Sequence, residues 1–256
     1  MYRTFYNFNI LTLLKNRLQL GHHENSLNLN LSSHLFGIRH NIAIFNIHSL
    51  WKPYRYLFYN LVVTFSKRSS FFIVATNSTL PMTPFLENLI NQYPFKIKEQ
   101  SYYISGFVDQ KWVGGLFTNW KIFSEFIQYI DVPNLKFKKR YRFEKYLYHL
   151  KGIKNLWQMP ISDFAVVLNN DVDALYELNH FQIPLIGIVD SDMNPQHFLY
   201  PFIGNNDSLE NLEFFFEFLK EAAKEGRLKE QENFLHVLAL KIKKKLKKKV
   251  FFNEKT

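Results

Sequence analysis

The chain contains no cysteine in 256 residues. Disulfides, thiolate metal sites and cysteine nucleophiles are therefore excluded. Long apolar runs are missing too: the longest, such as Phe71 to Ala75, are strand-sized and far short of a membrane span. No GxxxxGKS/T, GxGxxG, HExxH or GxSxG pattern occurs, which removes the common nucleotide, zinc-hydrolase and serine-hydrolase signatures. His22 and His23 are adjacent and diverge on any regular element, while His149, His180, His197 and His236 are scattered. No nucleophile–base pair stands out. Acids are absent from the first twenty residues, where Arg3, Lys15 and Arg17 superficially resemble an import presequence. Helical spacing at Ile10, Leu13, Leu14 and Leu18 runs straight into His22 and assigns this lead to the fold instead. Alanine appears only seven times against 27 Phe and 14 Tyr. With abundant Lys, Asn and Ile, that bias points to an AT-rich coding genome and lowers the weight of any single aromatic.

What is present suits one large domain with an appendage: 47% apolar residues, enough for a substantial core, and a net charge of +10. Seven of those ten charges sit at Lys241, Lys243, Lys244, Lys245, Lys247, Lys248 and Lys249, so the body is only mildly basic. Such an excess points to nucleic acid or anionic lipid rather than to acidic small molecules.

The stretch Lys111-Trp112-Val113-Gly114-Gly115-Leu116-Phe117-Thr118-Asn119-Trp120-Lys121 organises the rest. Two glycines predict a tight turn after a strand at Tyr102 to Ile104. Thr118 predicts a helix cap ahead of Trp120, Phe123, Phe126, Ile127 and Ile130, a helix that Pro133 stops. Two lysines and two indoles in this corner can grip phosphates and stack on bases, or the indoles can fill space between helix and sheet.

Around it, Gly21 to Ser33 reads as a loop, Asn41 to Asn46 as a short strand and His48 to about Ser66 as a helix. Strands at 71–75, 164–168 and 185–190 are continuous apolar runs, as expected when both faces are buried. Thr83 and Pro84 suit a helix start, Asp171 to Phe181 a helix, and Tyr200 to Ile203 a last strand. Asp207 and Glu210 make a capping pair for a helix from Ser208 to about Ala223. This alternation predicts an α/β fold: a flavodoxin-like, three-layer domain with a mostly parallel sheet of about five strands. A basic, aromatic segment, Leu135 to Leu150, is expected as a protruding helical hairpin within about 118–151. The α/β domain is assigned to 1–224 and a basic amphipathic helix or tail to 225–256, where Leu235, Leu238, Ile242 and Leu246 keep helical spacing.

Ligands in such folds bind beyond the carboxyl ends of the strands. Asp190, Asp192 and Asp207 fall there and could hold Mg²⁺ in a phosphotransfer or nucleotide-binding domain, or simply cap turns and a helix. No cofactor is expected. The positive segments are the stronger signal, through counterion release: Lys138, Lys139, Arg140, Arg142 and Lys145 in the hairpin, and Lys243, Lys244, Lys245, Lys247 and Lys248 in the tail. Phe251 and Phe252 after the lysines keep a peripheral membrane anchor open as a rival for the tail.

Three blocks carry a resemblance to a known family. They are Phe36-Gly37-Ile38-Arg39-His40-Asn41-Ile42-Ala43-Ile44-Phe45-Asn46 behind Gly21-His22; the stretch from Trp112 to Lys121; and a run from Gly152-Ile153-Lys154 through Met159-Pro160, Phe164 to Leu168, Ile183 to Asp190 and Tyr200 to Ser208. From about Ile10 to Ala223 the chain resembles small-subunit ribosomal protein two, the S-two family, and looks like an organellar, mitochondrial member, with a plastid or a reduced bacterium as alternatives. The resemblance implies a non-enzymatic structural constituent of the small ribosomal subunit. It also implies binding to small-subunit rRNA and neighbouring ribosomal proteins, near the messenger exit side, with no membrane span and no homo-oligomer. It adds His22, Arg39 and Lys154 to Lys111, Trp112, Asn119, Trp120 and Lys121 as candidate contacts. Asn25, Asn30, Ser32, Asn77 and Ser78 stand where the family commonly carries basic residues, and each departure removes a phosphate contact.

Overall fold

A computed structural model describes residues 10–67, 69–76, 82–92, 96–97, 100–101, 104–130, 148–153 and 162–253, with backbone alone over 88–92, 96–97, 100–101, 104–105, 127–130 and 236–253. After a short helix α1 (Ile10–Lys15) come three strands: β1 (Leu20–His23), β2 (Leu35–Arg39) and β3 (Ile42–Phe45), antiparallel in the order β1-β3-β2. The link between β2 and β3 is a two-residue turn in which His40 (φ 51°) and Asn41 (φ 62°) are both left-handed, the twist a tight hairpin favours. The stretch expected as a loop over Gly21 to Ser33 thus begins in a strand and continues as the 3₁₀ turns Glu24–Ser26 and Leu29–His34.

Helix α2 (Ile47–Ser66) starts at Asn46, whose side-chain oxygen accepts from the Ser49 N–H at 3.4 Å. Its buried face is Leu50, Tyr54, Leu57, Phe58, Leu61, Val62 and Phe65, a helical stripe. The main sheet is formed by β4 (Phe71–Val74), β5 (Ile104–Val108), β6 (Phe164–Val167), β7 (Leu185–Val189) and β8 (Tyr200–Ile203), all parallel, in the order β8-β7-β6-β4-β5. That is the flavodoxin-like order, with its reversal between β4 and β6. The apolar runs of β4, β6 and β7 are buried throughout, which is why they read as unbroken rather than alternating.

Helix α3 (Met82–Gln92) follows β4, α4 (Trp120–Ile130) follows β5, α5 (Val172–His180) follows β6 and α6 (Leu209–Asn253) follows β8. Successive strand residues face opposite layers. Phe71 meets Phe65 of α2 at 6.0 Å between ring centroids, and Phe72 meets Phe117 at 5.4 Å. On the α2 side, Phe202 gathers Tyr54, Phe215 and Phe218, and Phe85 of α3 meets Phe216 of α6. The sheet is therefore the middle of three layers.

Several expected boundaries move. Strand β5 runs on to Val108, past the expected end at Ile104, so its carboxyl end is at Asp109. Helix α3 already includes Thr83 and Pro84, and Thr83 accepts from Gln110 Nε2 at 3.1 Å instead of capping. Helix α6 is one 45-residue element from Leu209, with no break at the expected tail boundary. Gly226 is where α6 crosses α2: a Cβ there would sit 2.7 Å from Phe65 Cβ and 3.0 Å from Val62 O. The expected hairpin's basic segment and Pro133 lie outside the described residues.

Candidate nucleic-acid interface

The Lys111 to Lys121 corner is built around a carboxylate from another part of the chain. Gly115 takes a left-handed φ of 84° at the turn. Behind it Trp112, Leu116, Phe117 and Trp120 are buried, and Trp112 stacks on Phe117 at 5.8 Å with planes 8° apart. Burying Trp112 withdraws its indole N–H from water and demands an acceptor. Glu177 of α5, only 5% exposed, supplies it. Its Oε2 accepts from Trp112 Nε1 at 2.8 Å, and its Oε1 from the N–H groups of Phe117 (2.7 Å) and Thr118 (2.8 Å) and from Thr118 Oγ1 (3.2 Å). One buried negative charge is thus held by four donors and ties the motif to the helix after β6.

Two expectations are corrected here. Thr118 does not cap α4, because its hydroxyl donates to Glu177. Trp112 and Trp120 are not offered as stacking surfaces, being 4% and 8% exposed. Lys111, Asn119 and Lys121 remain on the surface of the same corner. Glu177 itself escaped the sequence reading. The available signal was its spacing with Ala174 and Leu178, which puts a charged residue on the buried face of α5.

A second knot ties the small sheet to the carboxyl ends of β7 and β8. The Ser191 hydroxyl accepts from the His22 N–H at 2.7 Å, and the Asn28 N–H donates to Ser191 O at 2.7 Å. The His22 imidazole lies among three acids: Nδ1 is 3.2 Å from Asp190 Oδ1 and 4.0 Å from Asp192 Oδ1, and Nε2 is 3.2 Å from Asp207 Oδ2. Asp190 is fully buried and also accepts from the N–H groups of Ser191 (2.5 Å) and Asn206 (2.9 Å). Contact with Asp190 pushes the His22 pKa up to about 9, against the opposing cost of its partial burial, with Asp192 and Asp207 adding to the rise. Asp192 is itself raised, first by burial and then by its acidic neighbours, His22 working the other way.

The acids named as possible Mg²⁺ ligands therefore do converge, but around an imidazolium. Among the described residues no group of His, Asp and Glu is arranged to hold a metal ion. Asp207 faces His22, and the α6 start is served by Ser208, whose hydroxyl accepts from the Asn211 N–H at 3.3 Å. Across the strand-order reversal, where this architecture usually binds ligands, Thr76 Oγ1 donates to Asp171 Oδ2 at 2.6 Å and both side chains are buried. That bond links the two strand ends across the crevice.

Of the remaining candidates, Arg39 is exposed on β2, near the His22 knot in the same small sheet. Lys138, Lys139, Arg140, Arg142, Lys145 and Lys154 lie outside the described residues. Lys243, Lys244, Lys245, Lys247 and Lys248 fall on the α6 backbone.

Residues 13–226 match the sequence model of a family described as ribosomal protein S2. Relatives named small ribosomal subunit protein uS2 include one from Acinetobacter baylyi, 25% identical over 73% of this chain and 76% of its own length. One from Shewanella piezotolerans is 26% identical over 84% and 90%, and one from Endomicrobium trichonymphae 23% identical over 93% and 99%. The similarity reaches across the sheet, both knots and the first part of α6.

Proposed function

The chain belongs to the ribosomal protein S2 family, a family of structural, non-enzymatic proteins of the small ribosomal subunit, and we propose that it binds small-subunit rRNA and neighbouring proteins in a mitochondrial ribosome. The observation that carries the ribosomal role is the family match over residues 13–226. The RNA reading rests on charge: +10 overall, with Lys111 and Lys121 exposed at the glycine turn and a lysine run on α6. Counterion release from phosphates is the favourable term such segments supply. The organellar reading rests on the Phe-, Tyr-, Asn- and Lys-rich, alanine-poor composition.

In this role the two knots are scaffolding. Glu177 fixes the turn that presents Lys111, Asn119 and Lys121 together, and the His22 knot fixes the small sheet that presents Arg39. The hairpin lysines and arginines (Lys138, Lys139, Arg140, Arg142, Lys145) and Lys154 add phosphate contacts. The tail lysines add affinity that falls steeply with salt.

Sedimentation of a mitochondrial lysate tests this reading directly. The chain is expected to travel with the small subunit and to leave it in high salt together with loss of rRNA cross-links. A low-mass soluble peak, or co-sedimentation with ribosomes of another compartment, overturns the corresponding part.

A further inference from the structure

Helix α2 contains no Asp or Glu in its 20 residues. Apart from Ser49 in the first turn, its exposed side is a single line, His48, Lys52, Arg55, Tyr56 and Tyr59, at the i, i+4, i+7, i+8, i+11 spacing of one helix face. At ~1.5 Å per residue that line is roughly 16 Å long. Neither Lys52 nor Arg55 is paired with a carboxylate among the described residues. Tyr56 is 63% and Tyr59 49% exposed, which is unusual for rings this large with a core beside them.

The neighbouring helix makes the contrast. On the first turns of α6 after its start the surface charges neutralise locally, Lys220 pairing with Glu217 and Lys224 with Glu221. That is how a merely solvated helix face is dressed. The α2 stripe has cations and rings, and α2 itself supplies no acid to offset them. It is also extended across the helix crossing: Lys229 of α6 sits over the Tyr59 ring, 5.4 Å from its centroid. Tyr56 is held by an edge contact to Tyr200 at 5.9 Å.

We propose that the α2 stripe, His48, Lys52, Arg55, Tyr56 and Tyr59, completed by Lys229, is an RNA-binding face for an unpaired rRNA segment. Lys52, Arg55 and Lys229 take the phosphates, and the tyrosine rings stack on splayed bases. Duplex RNA hides its base faces, so exposed rings select loops, bulges or single strands. The inference rests on the reading that the chain sits on small-subunit rRNA, and it names a face of α2 distant in sequence from the glycine turn, the hairpin and the tail.

The test uses the full chain carrying a photo-cross-linking benzoylphenylalanine in place of Tyr56 or, as a control in the basic hairpin, in place of Tyr141, incorporated into small subunits. The Tyr56 probe is expected to cross-link to rRNA. If the Tyr141 probe reaches rRNA and the Tyr56 probe reaches only protein, the α2 face is overturned while the ribosomal RNA reading stands. If neither reaches RNA, the reading beneath it fails as well. A Lys52→Glu/Arg55→Glu variant, checked for fold by circular dichroism, is then titrated against a small-subunit rRNA transcript. Its affinity should fall at least about tenfold and its log–log salt slope flatten by about 1.5 to 2. An unchanged affinity and slope overturns the proposal.

Discussion

The Glu177 knot and the His22 knot do the same job with opposite chemistry. Each moors a segment to a distant part of the chain through a charged side chain, Glu177 holding the glycine turn to α5 and His22 holding the small sheet to the ends of β7 and β8. Glu177 is a buried anion surrounded by neutral donors, two of them backbone N–H groups and one an indole. His22 is a half-exposed cation surrounded by three acids. Burial makes the first joint costly to break, because removing the carboxylate strands the buried Trp112 and Phe117 donors. Exposure makes the second joint weaker, screened and open to titration. The glycine turn, with its lysines, is mounted on the stiff joint, and the small sheet on the adjustable one.

Four measurements sharpen or break that contrast, in order of expected size. Glu177→Ala should cost about 3–5 kcal/mol in urea denaturation, since Trp112, Phe117 and Thr118 all lose their acceptor. A loss smaller than that of the next variant would break the comparison. Asp190→Ala should cost about 2–3 kcal/mol, because two backbone N–H groups and His22 lose their partner. His22→Gln should cost roughly 1 kcal/mol near pH 6 and nothing at pH 10. The sign follows from the raised folded-state value: wild-type stability from His22 is complete below about 6.5 and disappears as pH rises through about 9. A wild-type curve as flat as the variant's across that window would remove His22 as the titrating joint. Trp112→Phe, which deletes a single donor and keeps the stack on Phe117, should cost about 1 kcal/mol with no pH dependence.

The sheet was legible because strands buried on both faces leave a local signature, and the helices between them leave a periodic one. The turn at Gly114-Gly115 was legible for the same local reason. Neither knot was. Glu177 is about sixty positions from the residues it holds, and Ser191 is 169 positions from His22. No spacing rule links such partners. Gly226 was silent for a different reason: its missing side chain lets α6 cross α2 closely, and no local pattern announces such a contact. The burial of Trp112 and Trp120 shows the limit of composition, since an indole suits a base or a core equally well.

The 169-residue separation between His22 and Ser191 also sets a clock for synthesis. The small sheet leaves the ribosome that makes it first, but its anchor at the ends of β7 and β8 leaves near the end. At ~5–20 residues per second, the wait is on the order of ten to thirty seconds. Throughout that interval Phe36 and Ile38, exposed even in the finished fold, belong to a sheet without its mooring. Of the two joints, the His22 knot is thus the one whose halves are made furthest apart in time.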